Sequence, residues 1–254
     1  MLRIDHLTHF FGGLKAVEDF SIDIQPRQII GLIGPNGAGK TTIFNLITGV
    51  YKPTQGNIYF EGKDVAGQLP YKITQRGIIR TFQNIRLFSS MTVLENIMVA
   101  RHYRMKSGLL GSILRLPSFT MEENEVEQKA TEYAKLFNLG DVLHSPAGSL
   151  PYGRQRRVEI ARALVTEPKL LLLDEPAAGM NNKEALELLD LIKHIAINFN
   201  LTILLIEHQM PVVMGVAERI HVLDFGRTIA VGTPKEIQNN PKVIEAYLGE
   251  GAKL

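Results

Sequence analysis

The chain has 254 residues, 45% hydrophobic and 21% charged, enough to bury a sizeable core in one large domain or in a domain carrying a subdomain. Its 28 Lys and Arg against 26 Asp and Glu leave a formal charge of +2, so no global field draws it to nucleic acid or an anionic membrane, and a partner must be recognised locally. The absence of cysteine excludes disulfide frameworks, thiolate metal sites and cysteine nucleophiles. No apolar run approaches the ~20 residues of a bilayer span, and Met1 to His6 lacks a basic-then-apolar leader pattern, so the expected location is the cytoplasm.

Apolar residues alternate at Leu2, Ile4 and Leu7 and again at Phe20, Ile22 and Ile24, which predicts half-buried strands of an antiparallel edge sheet. Ile29 to Ile33, Leu170 to Leu173 and Thr202 to Ile206 are instead short continuous apolar runs, the pattern of central strands in a parallel sheet covered on both faces. The fold class is therefore α/β. Between Ile85 and Leu164 few strand-like runs occur, while Val93 to Arg101 and Glu122 to Leu139 read as helices. Within that stretch, Met105 to Phe119 mixes Gly108, Gly111 and Pro117 with Leu109, Leu110, Ile113 and Leu114, which predicts a loop with a short helix docking apolar side chains. Lys183 to Phe199 places Leu186, Leu189, Ile192, Ile195, Ala196 and Phe199 at three- and four-residue spacing and reads as the crossover helix between two parallel strands. The tail predicts paired strands at Ile220 to Leu223 and Thr228 to Val231, then helices at Pro234 to Ile237 and Pro241 to Leu248, each opened by proline. The expected division is a sheet core with its C-terminal extension at 1–84 and 165–254, and a helical subdomain at 85–164.

Gly34-Pro35-Asn36-Gly37-Ala38-Gly39-Lys40-Thr41, followed by Thr42, fits the phosphate-binding pattern G-x-x-x-x-G-K-[ST], after an apolar strand and before a helical stretch. Glycines let backbone N–H groups turn inward around a phosphate, and the helix N-terminus adds a favourable dipole. Lys40 supplies a point charge to the outer phosphates, and Thr41 can ligate Mg²⁺. Leu170 to Leu173 runs into Asp174-Glu175, at the strand end where open parallel sheets bind ligands. Asp174 would hold Mg²⁺, directly or through water, and Glu175 would serve as base or orienter of the attacking water. Asn182-Lys183-Glu184 resembles a guanine-reading Asn-Lys-x-Asp, but Ala185 stands where the Asp is required, which argues against GTP.

With these motifs the sequence resembles the ATP-binding subunits of ABC transporters across essentially its whole length. The resemblance implies a P-loop NTPase core with a mostly parallel sheet, an N-terminal antiparallel part and an inserted helical subdomain. It assigns Gln83, in Arg80-Thr81-Phe82-Gln83-Asn84, to the glutamine that reaches Mg²⁺ and the attacking water and links the core to the subdomain. It assigns His208, in Leu205-Ile206-Glu207-His208-Gln209, to the histidine that senses the γ-phosphate. Phe11 matches the aromatic residue that stacks on adenine, with Val17 close by, although Phe11 alone equally suits a core position. The signature that grips the ATP of the opposite subunit falls on Leu150-Pro151-Tyr152-Gly153-Arg154, where the family usually has Leu-Ser-Gly-Gly-Gln. Pro151 brings neither hydroxyl nor N–H, yet suits the first residue of a helix. The arginines at 154, 156, 157 and 162 read as a solvated, phosphate-facing helix and not as a nucleic-acid patch, because Glu159 and Glu167 compensate them.

The Tyr152-Gly153 variant, Pro176 to Asn181 after the two carboxylates, the Gly108 to Phe119 insertion and the closing Asn240 to Gly249 narrow the resemblance. They point to the ATPases of branched-chain amino acid uptake, specifically the partner of the pair with the longer helical insertion. The implied assembly is a second ATPase subunit in a heterodimer, two transmembrane permease subunits and an extracytoplasmic solute-binding protein, with this chain peripheral on the cytoplasmic face of the membrane. The apolar residues of the 105–119 stretch, with Ile85, Leu87 and Phe88, are candidate permease contacts, with packing inside the subdomain as the alternative. Uptake of urea or amides, lipid transport, and a non-transport ABC ATPase are the competing functions.

Overall fold

The computed structural model describes residues 1–102, 117–208 and 210–248. The expected docking loop at 105–119 therefore lies outside the described residues except for its end, which belongs to a helix starting at Pro117. The chain divides into two compact units, one of Met1–Arg80, Lys169–Ala178 and Ala185–Leu254, the other of Thr81–Pro168 and Gly179–Glu184. The segment 179–184 groups with the second unit.

In the first unit, β1 (Leu2–Phe11) and β2 (Leu14–Ile24) pair antiparallel with Leu2 opposite Ile24, Ile4 opposite Ile22 and Leu7 opposite Phe20. The predicted alternation thus meets across the ladder, where neighbouring apolar side chains stabilise the pair and bury one face. A strand at Gln55–Phe60 (β4) and the short Lys63–Asp64 (β5) complete this sheet in the order β2-β1-β4-β5. The second sheet has the order β10-β9-β3-β8-β7-β6. Its β3 (Ile29–Ile33), β7 (Leu170–Asp174) and β8 (Thr202–Ile206) are buried throughout, as continuous apolar runs require when both faces are covered. They run parallel to each other and to β6 (Ile78–Arg80) and β9 (Arg219–Asp224), and only β10 (Arg227–Gly232) is antiparallel.

Helix α1 (Lys40–Ile47) follows β3, and α2 (Pro70–Gln75) precedes β6. Helices α3 (Val93–Val99), α4 (Pro117–Leu136) and α5 (Tyr152–Leu164) form the second unit. Their shared core includes Val93, Ile97, Ala130, Ala134, Phe137, Val158 and Ala161. The crossover α6 (Asn182–Asn198) buries Ala185, Leu188, Leu189, Ile192, Ile195 and Ala196. Leu186 and Phe199, assigned above to that face, are exposed. Leu186 sits one residue round the helix from the buried stripe, and Phe199 lies past its last turn. Helices α7 (Met210–Val216), α8 (Pro234–Gln238) and α9 (Pro241–Leu248) close the first unit, α8 with Pro234 in its first turn and a Thr233–Glu236 capping box. No helix of the described residues is long and apolar enough to cross a membrane.

Two buried polar devices order the helical unit. Asn96, fully buried on α3, donates to the carbonyls of Phe88, Met91 and Thr92 and accepts from the Phe88 N–H, so one amide fixes the chain entering the helix. Arg156 on α5 is also fully buried and pairs with Glu159 at 2.6 Å. The expectation of a solvated arginine helix is corrected here. The Arg156 guanidinium finds carbonyl acceptors inside the unit, and burial raises the pKa of Glu159 against the pull of that arginine.

His221 on β9 is buried beside Phe20, and burial, aided by the charge of Arg219, lowers its pKa from 6.5 to about 4. The folded chain therefore binds fewer protons than the unfolded one between those values. Stability is full above pH 6.5 and falls as the pH drops towards about 4, by up to about 3 kcal/mol, with no further loss from this group below. Urea unfolding across that window should show this slope in the unsubstituted chain and a flatter one in His221→Gln.

Candidate functional site

β3 delivers its buried backbone into the loop from Gly34 to Gly39, and α1 starts directly after it at Lys40. The glycines at both ends are dictated by contact. At Gly34 (φ +151°) a Cβ would lie 2.1 Å from the Leu223 carbonyl oxygen, and at Gly39 (φ +100°) 2.5 Å from that of Ala16. Asn36, Gly37 and Thr41 are exposed at the mouth, Pro35, Gly39 and Thr42 partly so, and Ala38 is buried beneath. Lys40 is only 6% exposed, and its Nζ donates to the Gly34 and Pro35 carbonyls at 2.7 and 2.8 Å. Burial lowers its pKa, while the Glu175 and Asp174 carboxylates act in the opposite direction. The loop thus presents backbone N–H groups, a helix N-terminus and one held cation, a set suited to polyphosphate.

Asp174 ends β7 and pairs with Arg80 at 2.7 Å. Glu175 adopts a left-handed backbone (φ +47°), its N–H donating to the Ile206 carbonyl, so the chain turns sharply across the end of β8. His208 Nδ1 stands 3.5 Å from Glu175 Oε2. Between the two turns lies Glu207, fully buried, whose carboxylate accepts from the Ala177 N–H at 3.1 Å and from the His208 N–H at 3.0 Å. Glu207 therefore fixes the relative position of the segments carrying Glu175 and His208. Its one mark in the sequence is an acidic residue directly after a buried strand. Thr41 and Asp174 offer hard oxygen donors of the kind Mg²⁺ takes. Among the described residues no group of three or more His, Cys, Asp or Glu is placed to hold a metal ion.

Phe11 is 42% exposed, and its ring meets His9 edge-on at 4.7 Å and Tyr51 at 5.2 Å, while His9 and Tyr51 stack at 5.6 Å. Phe11 is thus a surface ring held by two others and not a core residue. Val17 departs from expectation. It is fully buried opposite His9, on the inward side of β2, and offers no surface to a base.

Gln83 and the signature belong to the second unit. The Gln83 side chain is exposed, and Arg156 donates to the Phe82 and Gln83 carbonyls at 2.7 and 2.6 Å. The helix after the signature thereby holds the backbone of the Gln83 loop. Leu150 is buried, Pro151 is the N-cap residue of α5 with no side-chain cap, and Tyr152 is exposed. Pro151 thus precedes the first helical turn by one position, and the helix forms as expected. Arg154 is paired with Asp141 at 2.7 Å.

The sequence profile of ABC transporters matches residues 17–178, and that of branched-chain amino acid ATP-binding cassette transporters matches residues 227–253. The chain is 48% identical over 250 residues to the high-affinity branched-chain amino acid transport ATP-binding protein LivG of Escherichia coli (strain K12), with 98% of each chain covered. It is 45% identical, again over 98% of each, to the corresponding protein BraF of Pseudomonas aeruginosa. The crystal structure of the ADP conformation of an ATP-binding cassette of an ABC transporter superposes with a TM-score of 0.85 at 33% identity, covering 98% of this chain and 99% of the other. Fold, phosphate loop and sequence kinship agree along the whole chain, which belongs to the ATP-binding subunits of ABC transporters, in their branched-chain amino acid branch.

Proposed function

We propose that this chain is an ATP-hydrolysing subunit that powers uptake of branched-chain amino acids through two transmembrane permease subunits. The observation that carries the reading is the convergence of Lys40, Asp174, Glu175 and His208 at one end of a buried parallel sheet. The relatives named for branched-chain amino acid transport supply the substrate class. The loop N–H groups and Lys40 bind the ATP phosphates, and the exposed Phe11 ring takes the adenine. Glu175 accepts a proton from water or orients it for in-line attack, and His208, within reach of that carboxylate, senses the γ-phosphate. Thr41 and Asp174 would hold Mg²⁺, which would supply charge neutralisation to phosphoryl transfer. Gln83 reports the state of that site to the helical unit.

The assembly is a head-to-tail pair of ATPases on the cytoplasmic face of the membrane, served by an extracytoplasmic solute-binding protein. Pro151 at the N-cap of α5 provides neither hydroxyl nor N–H to a phosphate bound by the opposite subunit. The partner is therefore a different ATPase with a complete signature, and the site built on this chain's Lys40 and Glu175 is the faster of the two. Closure of the pair around ATP shifts the population towards the state that moves the permeases.

In the assembled complex, Glu175→Gln should reduce steady-state ATP turnover by about two to four orders of magnitude while ATP binding persists. The equivalent change in the partner should reduce turnover far less, and equal losses would remove the proposed asymmetry. Among the described candidates Ile85, Leu87 and Phe88, the permease contact is Phe88, 53% exposed on a backbone fixed by Asn96. Phe88→Asp should release the chain from detergent-solubilised permease while leaving ATP binding by the isolated chain intact. Retention on the permease would sink that contact.

A further inference from the structure

Arg80 ends β6 beside Asp174 at the end of β7. Its Nη2 donates to Asp174 Oδ2 at 2.7 Å and its Nη1 to Asn45 Oδ1, on α1, at 2.6 Å. Its Cζ stands 5.4 Å from the centroid of the Phe44 ring, also on α1. The Arg80 and Asp174 side chains are 6% and 4% exposed. Ions so far from water persist only when well matched, because the desolvation of each is costly. The positive charge offered to phosphate is already supplied by Lys40, whose Nζ is held by the loop carbonyls. Arg80 is bonded instead to the carboxylate that the preceding reading assigns to Mg²⁺, and Asn45, on the helix that starts from the phosphate loop, secures its other arm.

We infer that Arg80 is a positioning residue for Asp174, holding one carboxylate oxygen and balancing its charge until a divalent cation arrives with the nucleotide. The guanidinium fixes the Asp174 side chain and also weakens its attraction for a free cation, since a like charge lies beside the metal position. With that charge beside it, Asp174 alone would hold a divalent cation weakly, and phosphate oxygens would be needed to complete the site. Asn45 keeps Arg80 in place and ties this balance to α1. The inference rests on the assignment of Asp174 as the Mg²⁺ carboxylate.

The test is a Mg²⁺ titration of the full chain at one fixed pH, reading the binding of a fluorescent non-hydrolysable ATP analogue. Arg80→Gln should lower the Mg²⁺ concentration at half-saturation by about tenfold, with Arg80→Lys close to the unsubstituted chain because it keeps the charge. Asn45→Ala should move the midpoint in the same direction by less. A merely structural role for Arg80 would lower thermal stability without moving the midpoint. If Arg80→Gln does not fold, Asn45→Ala decides. A midpoint that is unchanged or raised in the folded variants overturns the inference. Asp174→Asn separates the two readings: a Mg²⁺ dependence unaltered by that change refutes the metal assignment itself, whereas its loss, with Arg80→Gln unshifted, refutes the positioning role alone.

Discussion

The shape of the phosphate loop is set by backbone crowding. Gly34 faces the Leu223 carbonyl at the end of β9, and Gly39 faces that of Ala16 on β2, at distances where no Cβ fits. The Gly226 N–H donates to the Ala38 carbonyl, and the Glu18 N–H donates to that of Gly226, so the loop, the β9–β10 turn and the N-terminal sheet form one hydrogen-bonded cluster. The loop is thus pre-formed by the packing of both sheets, and its amides need little rearrangement to meet an anion. Such preorganisation is the main contribution a protein makes to phosphoryl transfer, where positioning and charge outweigh covalent assistance.

The same logic extends along the ends of the parallel strands. β3, β7 and β8 stop at one edge, so Lys40, Asp174 and His208 converge although they are distant in sequence. Glu175 reaches its place through a left-handed backbone, which a non-glycine residue adopts only when its surroundings compensate. The hydrogen bond to Ile206 and the buried carboxylate of Glu207 provide that compensation. Glu207 thereby converts two independent strand ends into one site. Phe11 is treated similarly, its ring kept at the surface by His9 and Tyr51.

Legibility from sequence followed the strength of each local pattern. The central strands and the phosphate loop are readable because a continuous apolar run and a glycine spacing each have one dominant physical reading, whereas a strand-end Asp-Glu alone suits a solvated turn and takes its functional reading from that loop. Gln55–Phe60 and Ile78–Arg80 escaped notice because the first has only Ile58 and Phe60 as buried alternating residues and the second is three residues long. The face of α6 was shifted because Leu186 and Phe199 fit the spacing while small Ala185 occupies the buried stripe. Val17 was misplaced because nearness in sequence to an exposed aromatic says nothing about which side of a strand a residue takes.

The least readable residues are the buried arginines. A guanidinium is ordinarily a surface group, so Arg156 reads as solvent-facing until its acceptors are known, and nothing in the sequence marks Arg80 as buried. Their acceptors are mixed: Arg80 meets a carboxylate and an amide oxygen, and Arg156 meets a carboxylate and two main-chain carbonyls. Side-chain partners at least have a residue type that a sequence displays, but carbonyl acceptors are common to every residue and leave no mark. The role of Arg156 in fixing the Gln83 backbone was therefore visible only in three dimensions. A planar donor fork is well matched to adjacent carbonyls in a fixed geometry, and a lysine, with its flexible stem and compact charge, is not. In both units arginine does the same physical task, using one rigid group to hold several chain segments whose own sequences specify no contact between them.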